Sequence, residues 1–319
     1  MREAVNAIVG LSKNSGKTSF LNWFIKNNEF GSVAITTTGR DGEDIDLVTN
    51  LQKPKVILPK GVYFTAFDYS FSKNSYSVKG IEKLPYRVIG KNLWLCKSLE
   101  SIETEVVGPT TLKEQEHLIT VLKDYGCETI FIDGSLDRKS ICLSEKIANI
   151  ILVVGAATGN INEIREQSEK IKLYEDFQKV ETEKYEHITY ASNDKIIDTN
   201  IKSVYSNETS IIDILKENPE WIYFSGAMTE QSWQKLKNPL LSFSGKVVFS
   251  SPLSVRIGND ELKRFIKEKS LYSRTRFPLS AIAVNSFSPY NAHIDADLLR
   301  KEIKKIFPNK PVYDVTETY

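Results

Sequence analysis

The sequence predicts an α/β fold, a doubly wound and mostly parallel sheet with a β-rich insertion. Three observations predict it. Short apolar runs recur without strict alternation, polar helix-like segments follow many of them, and residues 55–107 string strand-like pieces together with no helix between. Apolar runs of this kind suit strands buried on both faces, as in a parallel sheet. Their alternation with helices is the α/β pattern.

In chain order, AVNAIV at 4–9 is the first strand, and the helix over 18–26 follows it directly. VAITT at 33–37 is the second strand. The stretch 55–107 supplies KVILP, VYFTAF, RVI, LWLC and TEVV, with Gly61, Gly80 and Gly90 as turns. Residues 112–125 put Leu118, Ile119, Leu122 and Tyr125 on one helical face. Strands follow at 129–133 and 150–154, then a long charged helix over 162–183. Further strands are expected at 221–224, 246–249 and 281–285, with a shorter helix over 260–269. No repeat or low-complexity linker interrupts the chain. Residues 1–319 therefore read as a single domain, with a sub-domain boundary near residue 200 left open because the later strands could extend the same sheet.

With 42 basic against 41 acidic residues, the chain has no electrostatic reason to seek nucleic acid or an acidic membrane. The three cysteines are too few and scattered for a disulfide framework or a zinc site. His117, His187 and His293 lie far apart and pair with no cysteine at ligand spacing. The N-terminus lacks a secretory pattern. The longest apolar stretch, 148–157, is shorter than the ~20 residues a membrane helix needs. A cytoplasmic protein is expected.

Residues 8–20, IVGLSKNSGKTSF, carry the chemistry. A phosphate-binding loop needs a buried strand, a glycine-rich turn and a helix whose first amides face the anion. AVNAIV, GLSKNSG and KTSFLNWFIK are those three parts. Gly10, Lys13, Asn14, Ser15, Gly16, Lys17, Thr18 and Ser19 are the candidate nucleotide-binding residues, with ATP and Mg2+ as cofactors. Lys17 reaches the terminal phosphates and Thr18 ligates magnesium. The spacing is unusual: five residues separate Gly10 from Gly16 where the standard loop has four.

A partner carboxylate is expected at the end of a neighbouring strand. TIFID, ending at Asp133, provides it as a second magnesium ligand, the plain alternative being a turn aspartate. TTTGRDGEDID, residues 36–46, bears Asp41, Glu43, Asp44 and Asp46 where open α/β sheets bind ligands. It is either a switch-like loop that positions water, with Asp41 catalytic beside Lys17 and Asp133, or a solvated acidic loop. Asn285, after a late strand, is a candidate base contact or a turn asparagine. GAATG at 155–159 and Ser225, Gly226 and Ala227 also end strands and are candidates to line the same cleft.

The turn is similar to the looser loops of P-loop proteins related to dethiobiotin synthetase, and its KNSGKT core to the molybdopterin-guanine dinucleotide biosynthesis accessory protein. Lys13, four residues before Lys17, is out of register with the signature lysine of the MinD-like proteins, which sits five before. GLSKNSGKTS, TTTGRDGEDIDLVT, KPKVILPKG, FIDGSLDRKS and AVNSFSPYNAHID together resemble a family of P-loop NTPases encoded beside the adenosylcobalamin-dependent lysine 5,6-aminomutase. The resemblance implies an aminomutase reactivase component working with a MutS-like ATPase. No cobalamin-binding D-x-H-x-x-G pattern is present, so such a protein would handle the enzyme and not the cofactor.

The expected function is thus an accessory or reactivation NTPase that binds ATP–Mg and acts on a partner enzyme. A dethiobiotin-synthetase-like ligase and a non-hydrolysing nucleotide-binding subunit are the alternatives. Protein partners are expected, with a homodimer left open, and neither nucleic acid nor membrane.

Overall fold

The computed structural model describes residues 3–28, 30–39, 55–68, 76–136, 141–287 and 294–315. The chain forms two compact units, Met1–Ser168 with Pro278–Tyr319, and Glu169–Phe277. The described residues hold 19 strands and seven helices.

The first unit runs β1 (Val5–Gly10), α1 (Lys17–Lys26), β2 (Val33–Thr37), β3 (Val56–Leu58), β4 (Tyr63–Phe67), β5 (Val78–Val88), β6 (Lys91–Ser98), β7 (Ile102–Thr104), α2 (Leu112–Asp124), β8 (Thr129–Ser135), β9 (Asn149–Gly155) and the start of α3 (Ile161–Tyr174). The second unit contributes β10 (Gln178–Lys179), β11 (Thr189–Ser192), β12 (Lys195–Asp198), α4 (Glu208–Lys216), β13 (Trp221–Phe224), β14 (Met228–Thr229), α5 (Glu230–Ser242), β15 (Lys246–Phe249), β16 (Val255–Arg256), α6 (Asn259–Glu268) and β17 (Leu271–Ser273). The chain then returns to the first unit with β18 (Leu279–Asn285), α7 (Ala296–Ile306) and β19 (Val312–Asp314).

The first unit is built on a nine-stranded sheet in the order β19-β18-β9-β1-β8-β2-β4-β6-β5. Every pair from β19 to β4 is parallel, while β6 and β5 are antiparallel. The apolar runs behave as expected of strands covered on both faces: all six residues of β1 and all five of β2 are buried. The β-rich stretch extends this same sheet. β4 adds in parallel to β2, the β5–β6 hairpin closes the edge, and β3 with β7 forms a separate two-stranded ribbon.

The helix α1 buries Phe20, Leu21, Phe24 and Ile25. The Phe24 ring meets those of Phe20, Phe30, Phe131 and Tyr313 at centroid distances of 5.3, 5.7, 5.9 and 5.9 Å. On α2, Leu118, Ile119 and Leu122 face inward as the periodicity requires. Tyr125 does not. It follows the helix, is largely exposed, and its hydroxyl donates to Glu82 at 2.8 Å.

The second unit has its own six-stranded sheet, β10-β17-β15-β13-β11-β12. This division replaces the single domain expected from the sequence. Residue 200 lies between β12 and α4, inside the second unit, so it is no boundary; the chain crosses at 168/169 and 277/278. The first crossing falls within a helix, which is why no linker composition marks it. The helix expected to reach 183 ends at Tyr174. Buried Phe177 turns the chain there, its ring 6.1 Å from that of Phe249, and β10 pairs with β17.

Because Phe24 is held by four rings in a buried layer, Phe24→Ala should cost about 3–5 kcal/mol of stability. A urea titration would show a lowered midpoint for the first unit.

Candidate functional site

The parallel strands of the first unit all end on one edge. There the loops after β18, β9, β1, β8 and β2 lie side by side. From β1 the chain proceeds to β2 on one side, whereas β9 lies next to β18 on the other. Such a point, where successive connections diverge, opens the crevice that ligands use in α/β sheets.

The turn from Gly10 to Gly16 occupies that point. Asn14 takes a left-handed φ of 62° and Gly16 one of 99°. The left-handed step at Asn14 is how the turn takes up its length. Neighbouring strands then brace it. Leu11 N donates to the Val153 carbonyl at 3.1 Å, and the hydroxyls of Ser12 and Thr158 meet at 2.9 Å. Gly155 packs so closely on the Ser15 carbonyl that a Cβ there would collide with it. Ser15 is fully buried against Gly10, and its Oγ has no hydrogen-bond partner among the described residues.

The helix that follows is open at its start. Gly16 is the N-cap, without a side-chain cap and with no acid in the first turn. α2, by contrast, begins with a complete capping box from Thr111 and Glu114. Phe20 N, bonded to the Gly16 carbonyl at 2.9 Å, is the first amide in the α1 ladder. The amides of Lys17, Thr18 and Ser19 therefore precede it, at the positive end of the helix dipole. Lys17, Thr18 and Ser19 are half-buried, and Lys13 is exposed. Amides that precede the hydrogen-bond ladder, a lysine and a hydroxyl at one helix start are the ingredients of an anion cradle.

Asp133 ends up beside this turn. It sits in β8, level with Ile8 of β1 and Thr37 of β2, and is only 5 % exposed. Thr38 N donates to its carbonyl at 2.8 Å, fixing the exit of β2 against β8. Gln115 of α2 locks that exit from the other side, donating to the carbonyls of Thr37 (2.7 Å) and Pro109 (2.5 Å).

Of the expected site residues, Gly10 through Ser19, Asp133 and Asn285 all lie at this edge. Asp41, with the rest of 41–46, falls outside the described residues. Asn285 is buried against the turn: its amide packs on Gly16 and donates to the Ser15 carbonyl at 3.5 Å, while its Oδ1 accepts from Phe287 N at 3.2 Å. The loop 155–159 does meet the turn, through Gly155 and Thr158. Ser225, Gly226 and Ala227 belong to the second unit and follow β13 of a different sheet, so they are not part of this edge. Gln115 is a contributor that spacing did not single out, whereas Ser12, Thr38 and Thr158 lie within stretches named from the sequence without being assigned a role.

Other reactive groups are engaged elsewhere. Burial pushes the Cys96 and Cys127 thiols up to about 12 and about 11, away from thiolate chemistry. His117 Nδ1 lies 2.5 Å from the Tyr86 hydroxyl, and His187 Nδ1 lies 2.9 Å from Asp198. Among the described residues no group of three or more His, Cys, Asp and Glu could hold a metal ion by itself, and no helix is long and apolar enough to cross a membrane. No protein-family model matches the chain, and neither a curated protein nor a solved structure matches it.

Gly155→Ala should displace the Ser15 carbonyl and destabilise the first unit by about 1–3 kcal/mol, an overpacking cost. Thr158→Val, which removes only the hydroxyl pair with Ser12, should cost about 1 kcal/mol. Thermal unfolding of the two variants side by side would reveal the order.

Proposed function

We propose that the chain is a P-loop NTPase whose loop is one residue longer than the standard one, and that it binds a magnesium nucleoside triphosphate, ATP, at the β1–α1 turn. The observation that carries this reading is the start of α1 without a side-chain cap, with Lys17 and Thr18 at its mouth and Asp133 two residues before the end of the adjacent strand. In it, the amides of residues 17–19 and the Lys17 ammonium take the terminal phosphates. The Thr18 hydroxyl and Asp133 carboxylate are hard oxygen donors, the kind magnesium takes in company with substrate phosphates. When bound, the ion neutralises charge on the transferring phosphoryl group. Thr38, held on the Asp133 carbonyl, would then report ligand occupancy to the loop that follows β2.

At the level of biology we assign the protein an accessory role, in which nucleotide binding or hydrolysis changes its grip on a partner enzyme. The motif resemblance to the aminomutase reactivase component supports an adenosylcobalamin-dependent aminomutase as that partner.

ATP–Mg at a hundredfold excess over Kd should stabilise the wild type by about 2.7 kcal/mol, seen as a rise in Tm. Lys17→Ala should abolish the rise. Asp133→Asn should retain ATP binding but lose most of its dependence on magnesium. A wild-type Tm indifferent to ATP–Mg would end the nucleotide reading. Turnover that is slow alone and accelerated by purified aminomutase would support the accessory role, and turnover blind to it would not.

A further inference from the structure

The second unit is covered by helices on one side only. Ser232 Oγ and Lys235 Nζ of α5 donate to Glu208 of α4 at 3.0 and 3.3 Å. On the other flank of α5, Trp233 packs on Phe265 of α6 with ring centroids 4.6 Å apart and donates to Glu261 at 3.0 Å. Glu169, at the tail of α3, pairs with Lys263 of α6 at 2.9 Å. These helices therefore form one layer. Ile222, Phe224, Val247, Phe249 and Leu271, fully buried by alternation, belong to the sheet face beneath it.

The opposite face carries Trp221 and Tyr223 of β13, Lys246 and Val248 of β15, and Tyr272 of β17, level with one another across the sheet. Parallel strands ordinarily bury both faces. Here the cover is an extended stretch whose Tyr185 stacks on Trp221 at 5.9 Å and meets Tyr223 edge-on at 5.2 Å. Trp221 and Tyr272 remain half-buried and Lys246 exposed.

At the C-terminal rim of this face the chemistry changes from aromatic to polar. Continuing the alternation by one step brings Ser225, Ser250 and Arg274 there. Backbone bonds keep the three segments adjacent: Ser250 N to Phe224 O at 3.1 Å, and Arg274 N to Phe249 O at 2.9 Å. Burial raises the pKa of the Tyr223 phenol, a residue only 1 % exposed, and the Arg274 charge opposes that rise. Ser225 Oγ is buried and has no hydrogen-bond partner among the described residues. A buried hydroxyl left so is costly, about 1–3 kcal/mol, and the rim of parallel strands is where open sheets receive ligands.

We propose that this rim is a second binding site, for a small molecule bearing a carboxylate or phosphate group. Arg274 holds the oxyanion, Ser225 and Ser250 donate hydroxyl hydrogens to it, and the half-buried Tyr272 and Trp221 of the same face offer apolar surface to the ligand's body. Glu186, largely exposed and paired with Lys184 at 3.4 Å, is an acid whose charge is felt at Tyr223.

The test uses the full chain carrying Lys17→Ala, so that the turn does not compete for anions. Benzoate and inorganic phosphate are titrated separately, followed by Tm and by tryptophan fluorescence, and the two probes distinguish a carboxylate site from a phosphate site. Saturable binding of at least one probe is expected. It should weaken about tenfold or more when Arg274→Gln removes the charged donor, and tighten in Glu186→Gln. If Arg274→Gln does not fold, Ser225→Val decides: it keeps the charge but replaces the buried hydroxyl, and weaker binding is expected. Absence of saturable binding by both probes, or affinity unchanged in the folded Arg274 variant or in Ser225→Val, would overturn the proposal.

Discussion

Everything at the β1–α1 turn depends on one close approach, that of the Ser15 carbonyl to Gly155. The approach leaves no room for a side chain on residue 155, so the end of β9 can serve as a wall for the turn. Asn285 presses on the same peptide from the next strand over. The turn is thus shaped by two strands that come far later in the chain, and its left-handed steps at Asn14 and Gly16 are held by packing and not by local propensity alone. Such a preset backbone would cost little further to organise on binding the proposed anion.

The same logic explains what the sequence revealed of the site and what it concealed. Gly10, Gly16 and Lys17 were legible because strand, turn and helix follow each other directly, and Asp133 because a short apolar run precedes it, although β8 continues past it to Ser135. The brace was not legible. Ser12 with Thr158 and Ser15 with Asn285 are contacts between residues distant in sequence, and serine, threonine and asparagine in loops carry no spacing signal. Gln115 looked like one polar position on an amphipathic helix, yet it locks the exit of β2.

For the fold, buried parallel strands declared themselves because both faces are apolar. β12 could not: all four of its residues are exposed, so it has neither alternation nor an apolar run. α5 contains Pro239 in its last turn and a polar outer face, which together hide a helix built around fully buried Trp233. The break between units was invisible because it falls within α3 and just before β18, where composition stays that of ordinary elements.

The insertion of the second unit has a consequence for how the chain assembles. β18 pairs with β9 only after the ribosome has delivered all of residues 169–277, so the main sheet must wait, unfinished, with β9 as a bare edge. Closing so long a loop from a disordered chain carries an entropic penalty. The second unit removes much of it. Tyr174, near its start, and Phe277, at its end, meet with ring centroids 6.0 Å apart. Once folded, the excursion acts on the first unit as a short tether, and β18 searches for its slot from close by. Early folding of the inserted unit would therefore serve as an internal chaperone for the sheet that carries the turn.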